Sequence, residues 1–283
     1  MELTDFVAIA AAAGFPAIEL SIQQVQAHRP HRVRNLLSAH KLTVAAASGI
    51  LPAGPVLPHP LLVDDATYTA CLAGLGERLE AFAEINCPVA TIVFNPRTAL
   101  EPQAAMDIAA DRLAVLADAA AQHGVALAVE AVSIRTGLDT TLDGPHRLVS
   151  SIAELTTLLQ HVGRDNLTLL VDSFHWAANG APAEHITALA PGAGGTVRIG
   201  HVQIADIPFG EAPEHLTDAM RQFPGEGAAP WDLLEEALTK AGYHGAVSVE
   251  LFNPALRALP VKEIVSRALN GARHCWSTAE VSP

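Results

Sequence analysis

Short apolar runs alternate with longer helical segments along most of the chain, and this alternation limits the fold more than any other feature of the sequence. Apolar and β-branched runs of about four to eight residues predict strands, and the segments between them have the length of helices. Strands that alternate with helices pair in parallel through crossover connections. Seven strands are predicted in this way: Ala17–Leu20, Leu42–Ala47, Val89–Phe94, Val125–Val132, Leu167–Asp172, Val197–Ile204 and Ala246–Phe252.

The strand pattern and the chain length together predict a (β/α)8 TIM barrel of the α/β class. The 283 residues match the roughly 250 that such a barrel needs. Because no linker divides them, we expect a single domain over residues 1–283. The chain opens with a helical segment from Glu2 to Ala10. No strand is predicted before it, so the expected barrel lacks its first strand or has a truncated one.

Helix ends are marked by local signals. Ser151-Ile-Ala-Glu154 is a capping box that predicts the start of a helix, and Gly124, Gly163 and Gly242 stand where helices should end. A capping box satisfies free amide groups at a helix start, and glycine adopts the left-handed conformation that ends a helix. These signals fit the strand-helix alternation.

Charge and cysteine content restrict the partners and the compartment. The formal net charge is −13, from 30 acidic and 17 basic residues, which argues against nucleic acid as a partner because such binding depends on Lys and Arg. The three cysteines are widely spaced, which favours reduced thiols. No membrane-spanning segment is predicted. We therefore expect a cytoplasmic protein that binds neither nucleic acid nor membrane.

Four residues with ligand side chains stand at the ends of successive predicted strands: Glu130, Asp172, His201 and Glu250. The carboxyl ends of barrel strands converge on one mouth, where the active sites of such barrels lie. Three carboxylates facing one cavity would repel each other unless a cation compensated them. We therefore predict one divalent metal ion. Three oxygen ligands and one imidazole favour Mn²⁺, Mg²⁺ or Co²⁺, and Zn²⁺ is also compatible.

The parity of the strand residues supports an inward orientation of two of these ligands. Alternate side chains of a barrel strand face the interior. Ala126 and Ala128 share a face with Glu130, and Ser248 shares a face with Glu250. Small residues beneath a carboxylate are what an inward-facing ligand needs, so the pattern favours a site inside the barrel mouth.

Two further residues are candidates for the site. His175 follows Asp172 by three positions, where the chain has left the strand and can lean over the mouth. An imidazole there can serve as an acid, a base or a hydrogen-bond partner of the substrate near neutral pH. Glu19, close to the end of the first predicted strand, could also face the mouth, and a salt-bridged surface acid fits its pattern equally well.

At these residues the sequence resembles the sugar phosphate isomerase/epimerase family of xylose isomerase-like TIM barrels, and within it the inosose isomerase type. The resemblance is strongest from about residue 120 to 275. The segments that carry it are Val129-Glu130-Ala-Val, Arg164-Asp-Asn-Leu-Thr-Leu-Leu-Val-Asp-Ser-Phe-His175, Gly200-His201-Val-Gln-Ile-Ala-Asp206, Phe223-Pro-Gly-Glu-Gly227 and Val247-Ser-Val-Glu-Leu-Phe252.

The resemblance implies roles for the candidate residues. It implies that the metal ligands are Glu130, Asp172, His201 and Glu250, that the two glutamates also form the acid/base pair, and that His175 contacts the substrate. The sequence departs from the family pattern at one position. The family commonly has an acidic residue two positions after the histidine that corresponds to His201, and here that position is Gln203. Whether Asp206 takes its place is left open by the sequence.

The implied reaction is proton transfer at a carbon next to a carbonyl group, by a sugar isomerase or epimerase. The expected partner is a small-molecule substrate, namely a sugar, a sugar phosphate or a ketocyclitol. The alternatives are a metal-dependent dehydratase of the same fold, like inosose dehydratase, an apurinic endonuclease-like hydrolase, and a non-catalytic sugar-binding barrel. Helix faces rich in Ala and Leu are compatible with a homodimer, and equally with an ordinary helix layer.

Overall fold

The computed structural model describes residues 1–52, 61–133, 144–192 and 195–276. Seven parallel strands form a nearly closed barrel, and the spatial order of these strands is β1-β2-β3-β5-β7-β8-β9. A separate antiparallel pair, β4 and β6, lies outside this sheet. The strands in these described ranges are β1 (Ala17–Ser21), β2 (Thr43–Ser48), β3 (Val89–Phe94), β4 (Arg97–Thr98), β5 (Ala126–Ala131), β6 (His146–Arg147), β7 (Leu167–Asp172), β8 (Arg198–Ile204) and β9 (Val247–Val249).

Helices connect the barrel strands and cover the outside of the sheet. In the described ranges, none of them combines the length and the apolarity that a membrane-crossing helix requires. They are α1 (Leu3–Ala13), α2 (Ile22–Ala27), α3 (Pro30–Ala39), α4 (Asp65–Leu72), α5 (Leu75–Glu84), α6 (Pro102–Ala121), α7 (Ile152–Val162), α8 (Ser173–Ala178), α9 (Ala183–Thr187), α10 (Trp231–Lys240), α11 (Pro254–Arg257) and α12 (Val261–Cys275).

The prediction of an α/β barrel is confirmed, and each of the seven predicted strands is present. The last strand is shorter than predicted because regular pairing ends at Val249, although the backbone N–H of Glu250 still donates to Ile204 at 3.1 Å. As predicted, the first element is a helix, α1, and it packs against α12. Among the described residues β1 and β9 are the two edges of the sheet and share no ladder.

The two faces of β5 have the predicted parity. Leu127 and Val129 are fully buried in the large core between the sheet and the helices. Ala128 belongs instead to a small apolar group inside the barrel, together with Ala46 and Leu170. Glu130 has the parity of Ala128, so its carboxylate is directed to the mouth above this small group.

The predicted helix signals are confirmed. The Ser151 side chain accepts from the Glu154 amide, and the Glu154 carboxylate accepts from the Ser150 amide at 3.0 Å and from the Ser151 hydroxyl at 3.0 Å. Helix α7 ends at Gly163, which has a left-handed φ of 64°. The start and the end of α7 are therefore fixed by the residues that the sequence indicated.

We expect Ser151→Ala to lower the free energy of unfolding by about 1 kcal/mol, because the substitution removes the side-chain acceptor of the first turn of α7. Urea unfolding followed by circular dichroism measures this loss. Thr157→Ala on the same helix is the matched control. The Thr157 hydroxyl bonds only to the Ala153 carbonyl within the helix, so we expect a smaller change there. Equal losses in the two variants would contradict a capping role for Ser151.

Candidate functional site

A cavity of about 740 Å³ opens at the carboxyl ends of the barrel strands. Its lining brings together residues of the barrel strands β1, β2, β3, β5, β7 and β8, of the helices α2 and α8, and of the loops that follow β2, β5, β8 and β9. Polar and charged side chains in the lining are Glu19, Ser21, Gln23, Ser48, Thr91, Glu130, His175, Gln203, Asp218, Arg221 and Glu250. The volume is in the range of small-molecule sites.

Two predicted metal ligands lie together with the predicted substrate-contacting histidine. Glu130, Asp172 and His175 are all buried, and each offers a ligand atom within 4.8 Å of the others. The Glu130 Oε1 and His175 Nε2 atoms are 3.6 Å apart. Asp172 ends β7 and caps α8, because its Oδ1 accepts from the amides of Phe174 at 2.7 Å and His175 at 3.2 Å. The cap brings His175 back over the strand ends.

Arg221 is the central cation of this site. Its Nη1 donates to Asp172 Oδ2 at 2.7 Å, its Nε donates to Asp218 Oδ1 at 2.9 Å, and its Nη2 lies 3.4 Å from Glu250 Oε2. The guanidinium is also 4.7 Å from the centre of the Phe174 ring. Arg221 is 1% exposed. One buried guanidinium therefore contacts three carboxylates.

Burial and charge set different protonation states for the carboxyl groups. Burial raises the pKa of Glu130 well above its usual range, and the charges of Asp172 and Glu250 raise it further. Burial raises the pKa of Glu250 to about 8, although Arg221 opposes the rise. Burial, the largest effect on Asp172, acts to raise its pKa, but the charges of Arg221 and His175 and the hydrogen bonds to the carboxylate together lower it. The site therefore favours the protonated form of the two glutamates and the ionised form of Asp172.

The chemistry of this group fits a divalent cation. Glu130, Asp172 and Glu250 converge around the single guanidinium of Arg221, so three carboxyl groups share one cation, and burial together with their mutual repulsion raises the pKa of both glutamates. A divalent ion would favour the ionised carboxylates. Carboxylate oxygens and an imidazole are also the ligand types that Mn²⁺, Co²⁺ and Zn²⁺ accept.

His201, the third predicted ligand, lies on β8 and pairs with Glu19 on β1. The His201 Nε2 atom is 2.6 Å from Glu19 Oε1 and 3.0 Å from the Ser248 hydroxyl. Burial acts to raise the pKa of Glu19, but the hydrogen bond and charge of His201 together with the hydrogen bonds of Ser248 and Gln203 lower it overall. Carboxylates often orient metal-binding histidines in this way, by accepting from one ring nitrogen and leaving the other for the metal.

Gln203 lies between this pair and Glu250. Its Nε2 donates to Glu19 Oε1 at 3.3 Å, to Glu19 Oε2 at 3.2 Å and to Glu250 Oε1 at 3.2 Å. In the ladder Gln203 is level with Asp172 on the neighbouring strand. The position that is commonly acidic in the family therefore holds a neutral donor between two acids.

Asp206 does not lie in the cavity lining and has a structural role. It is fully buried, and its carboxylate accepts from the amides of Gly225 at 2.9 Å and Ala229 at 2.7 Å and from the Trp231 indole at 2.9 Å. A Cβ atom at Gly227 would lie 2.0 Å from the Ile207 carbonyl oxygen. The glycine-rich loop after β8 is thus folded around Asp206.

The structure distributes the candidate residues among one compact group and two separate pairs. The structure brings Glu130, Asp172 and His175 into one compact group, and it places Glu250 beside Arg221 and His201 beside Glu19. Sequence reasoning missed Asp218 and Arg221, which lie in the loop between β8 and the glycine-rich segment. The sequence signal that could have identified them is an acid and an arginine three positions apart, immediately before the glycine-rich segment.

We expect Arg221→Met to lower the free energy of unfolding of the metal-free protein by about 3–5 kcal/mol, because it leaves Asp172 buried without its cation. Urea unfolding measures the loss. Arg164→Met is the matched control: Arg164 forms a two-point pair with Asp118 at 2.7 and 3.1 Å, but on the surface. We expect a much smaller loss in the control. Similar losses in both variants would contradict the central role of Arg221.

Comparison with known proteins gives matches over most of the chain. A family model described as xylose isomerase-like TIM barrel matches residues 7–273. Inosose isomerase from Bacillus velezensis is 34% identical over 160 residues, which are 56% of this chain and 51% of that protein. The chain therefore spans about half the length of that relative. A putative hydroxypyruvate isomerase from Streptomyces coelicolor is 28% identical over 261 residues, covering 88% of this chain and 85% of that protein.

Solved structures give the same fold. The crystal structure of the IolI protein with a bound zinc atom has a TM-score of 0.80 and 22% sequence identity, and the alignment covers 98% of this chain and 94% of that chain. At this identity the similarity establishes the fold alone. The family resemblance predicted from the sequence is confirmed by the family model and by these relatives.

Proposed function

The chain belongs to the xylose isomerase-like TIM barrel family, and from that premise we propose that it is a metal-dependent isomerase or epimerase. The reaction is proton transfer next to the carbonyl group of a sugar, a sugar phosphate or a ketocyclitol, as the names of its relatives suggest. The observation that carries the proposal is the buried group of Glu130, Asp172 and His175, of which Glu130 and His175 line the cavity, with Glu250 3.4 Å from Arg221.

In this proposal the ion is held by Glu130 and Asp172 together with an imidazole. The geometry favours His175 as that imidazole, whereas the family resemblance favours His201 and adds Glu250. When bound, a divalent ion supplies positive charge that stabilises negative charge developing on the carbonyl oxygen of the substrate. Mn²⁺, Mg²⁺ and Co²⁺ are favoured by the oxygen-rich ligand set, and Zn²⁺ is compatible.

The two glutamates are the proposed proton-transfer groups. The Glu130 Oε1 atom is 3.6 Å from His175 Nε2. The same His175 nitrogen is 3.3 Å from Arg221 Nη2, and Arg221 Nη2 is 3.4 Å from Glu250 Oε2. The glutamates are thus separated by one imidazole and one guanidinium. Acids with raised pKa values exchange protons readily near neutral pH. One glutamate, in its ionised form, can remove the proton, and either that residue or the other, in its protonated form, can return a proton at the adjacent carbon or on the opposite face.

We expect about one divalent ion per chain after dialysis against Mn²⁺ or Co²⁺, and we expect Asp172→Asn to lose it. Asparagine keeps an oxygen that can cap α8 but removes the charge. Elemental analysis of the dialysed proteins measures the stoichiometry. Failure of the wild-type protein to bind an ion under any loading condition would contradict the proposed site, and about three ions would favour an endonuclease-like centre.

Two further variants identify the histidine ligand. Loss of the ion in His175→Gln with retention in His201→Gln would support the compact group. The reverse result would support the assignment from the family resemblance. Circular dichroism of both variants checks that the fold is intact.

We expect Glu130→Gln and Glu250→Gln each to slow proton exchange by about 10²- to 10⁴-fold, the usual contribution of a general acid or base. Exchange of the C–H proton of ketoses and inososes in deuterated buffer, followed by NMR, measures this rate. Glu236→Gln is the control, because Glu236 pairs only with Lys240 on the surface of α10. Exchange that is as fast in Glu250→Gln as in the wild-type protein would exclude Glu250 as a proton-transfer group.

A further inference from the structure

Four exposed apolar side chains lie at the mouth end of the last two strand-helix units. They are Phe209, which is 74% exposed, Leu233, Phe252 and Val261. Phe209 and Phe252 follow β8 and β9, and Leu233 and Val261 lie in the first turns of α10 and α12. Because barrel helices run antiparallel to the strands, these first turns lie at the carboxyl ends of the strands. We call the four residues the rim patch, with a β8 half (Phe209, Leu233) and a β9 half (Phe252, Val261).

The two halves of the rim patch are neighbours in the fold. β8 and β9 pair along a parallel ladder, and α10 packs against α12. Ile207, two residues before Phe209, and Leu251, one residue before Phe252, pack against the same small apolar cluster, which contains Leu216. Single exposed apolar residues are ordinary, whereas several on adjoining elements are typical of a protein–protein contact site.

The backbone segments next to the rim patch add further surface. Helix α11, which lies between Phe252 and α12, has no buried residue. The two single-turn 3-10 helices after β8, Pro213–His215 and Asp218–Met220, have none either. A stable interface takes roughly 800 Å² from each partner. Four partly exposed side chains do not supply this area, but together with α11 and these turns they form a surface of the required kind.

Charged residues of opposite sign flank the two halves of the rim patch. Glu214 and Asp232 are exposed in the β8 unit, and Arg257 and Lys262 are exposed in the β9 unit. In the described ranges none of these four side chains forms an ion pair. Glu263, which follows Lys262, already pairs within α12. The patch therefore has an acidic half and a basic half.

A second copy of the chain has the properties that this surface requires. In a contact with two-fold symmetry, each half of the patch meets the other half of the partner. The acidic half of one copy then faces the basic half of the other, and the apolar side chains meet at the centre. Each copy carries a net charge of −13, so contact through a surface of mixed sign limits the repulsion between the copies.

We propose that the rim patch is the interface of a symmetric homodimer. Exposed aromatic side chains surrounded by polar residues are typical of such contacts. Phe252 also lines the cavity, and its ring centre lies 5.3 Å from the Arg221 guanidinium carbon. The interface therefore adjoins the cavity rim, and the two cavities open beside the contact. This inference concerns assembly and is independent of the proposed reaction.

Sedimentation velocity over a range of concentrations tests the proposal. The proteins are the wild type, Phe209→Ser, Val261→Ser and the matched control Val115→Ser. Val115 is 51% exposed but lies on α6, outside the last two units. Phe252 is left unchanged because it lines the cavity. The three replaced side chains are exposed, so we expect the variants to fold, and circular dichroism checks this.

We expect the wild type to sediment with twice the chain mass of 29.6 kDa. Phe209→Ser and Val261→Ser should each weaken dimerisation by about 10-fold or more, because central apolar residues contribute most of the affinity of an interface. Val115→Ser should leave dimerisation unchanged. A wild type that stays a single chain up to about 200 µM, rim variants that dimerise as tightly as the wild type, or equal weakening by all three substitutions would overturn the proposal.

Charge-reversed variants test the two-fold arrangement. One variant combines Glu214→Lys with Asp232→Lys, and the other combines Arg257→Glu with Lys262→Glu. In each variant alone both halves of the patch have the same sign, so we expect dimers at least about 10-fold weaker than those of the wild type. Mixing the two variants restores opposite signs across the contact, and a heterodimer should form. A mixture that associates no more tightly than either variant alone would overturn the proposal.

Discussion

The contact between the Arg221 guanidinium and Asp172 is the interaction on which the rest of the site depends. A buried carboxylate is costly unless a cation and hydrogen bonds compensate it, and Arg221 supplies both at 2.7 Å. Because Asp172 stays ionised, it can cap α8 and direct His175 over the mouth. Burial and the charges of Asp172 and Glu250 raise the pKa of Glu130 instead. The pKa values of these two buried carboxyl groups therefore shift in opposite directions, and Asp172 is the one that Arg221 contacts directly.

The backbone that carries Arg221 is anchored from two strand ends. Asp206, just beyond β8, exchanges two backbone hydrogen bonds of 2.9 Å with Gln222, the residue after Arg221. Asn253, beyond β9, donates from its side chain to the Arg221 carbonyl at 3.0 Å. The Asp206 carboxylate holds the following glycine-rich loop as well. A cation that balances buried acids is therefore mounted on rigid elements, as a preorganised site requires.

The fold and part of the site could be predicted because both are encoded in local periodicity. Strand positions follow from apolar runs, and the inward orientation of Glu130 follows from the parity it shares with Ala128. The pairing of His201 with Glu19 joins residues 182 positions apart, and no local pattern encodes it. Arg221 was missed for a similar reason, since it lies in a loop whose irregular backbone has no period.

Among the described residues, the barrel wall is weakest between its two edge strands, β1 and β9. Elsewhere around the barrel, neighbouring strands are tied by backbone ladders, but among the described residues β1 and β9 are not. Side-chain contacts from Glu19 on β1 to His201 and Gln203 on β8 cross this region instead. Side-chain hydrogen bonds break and re-form more easily than a backbone ladder. Slow opening motions of the barrel wall should therefore occur mainly between these two strands. The cavity mouth would then widen along one direction only, with Glu19 as its moving edge.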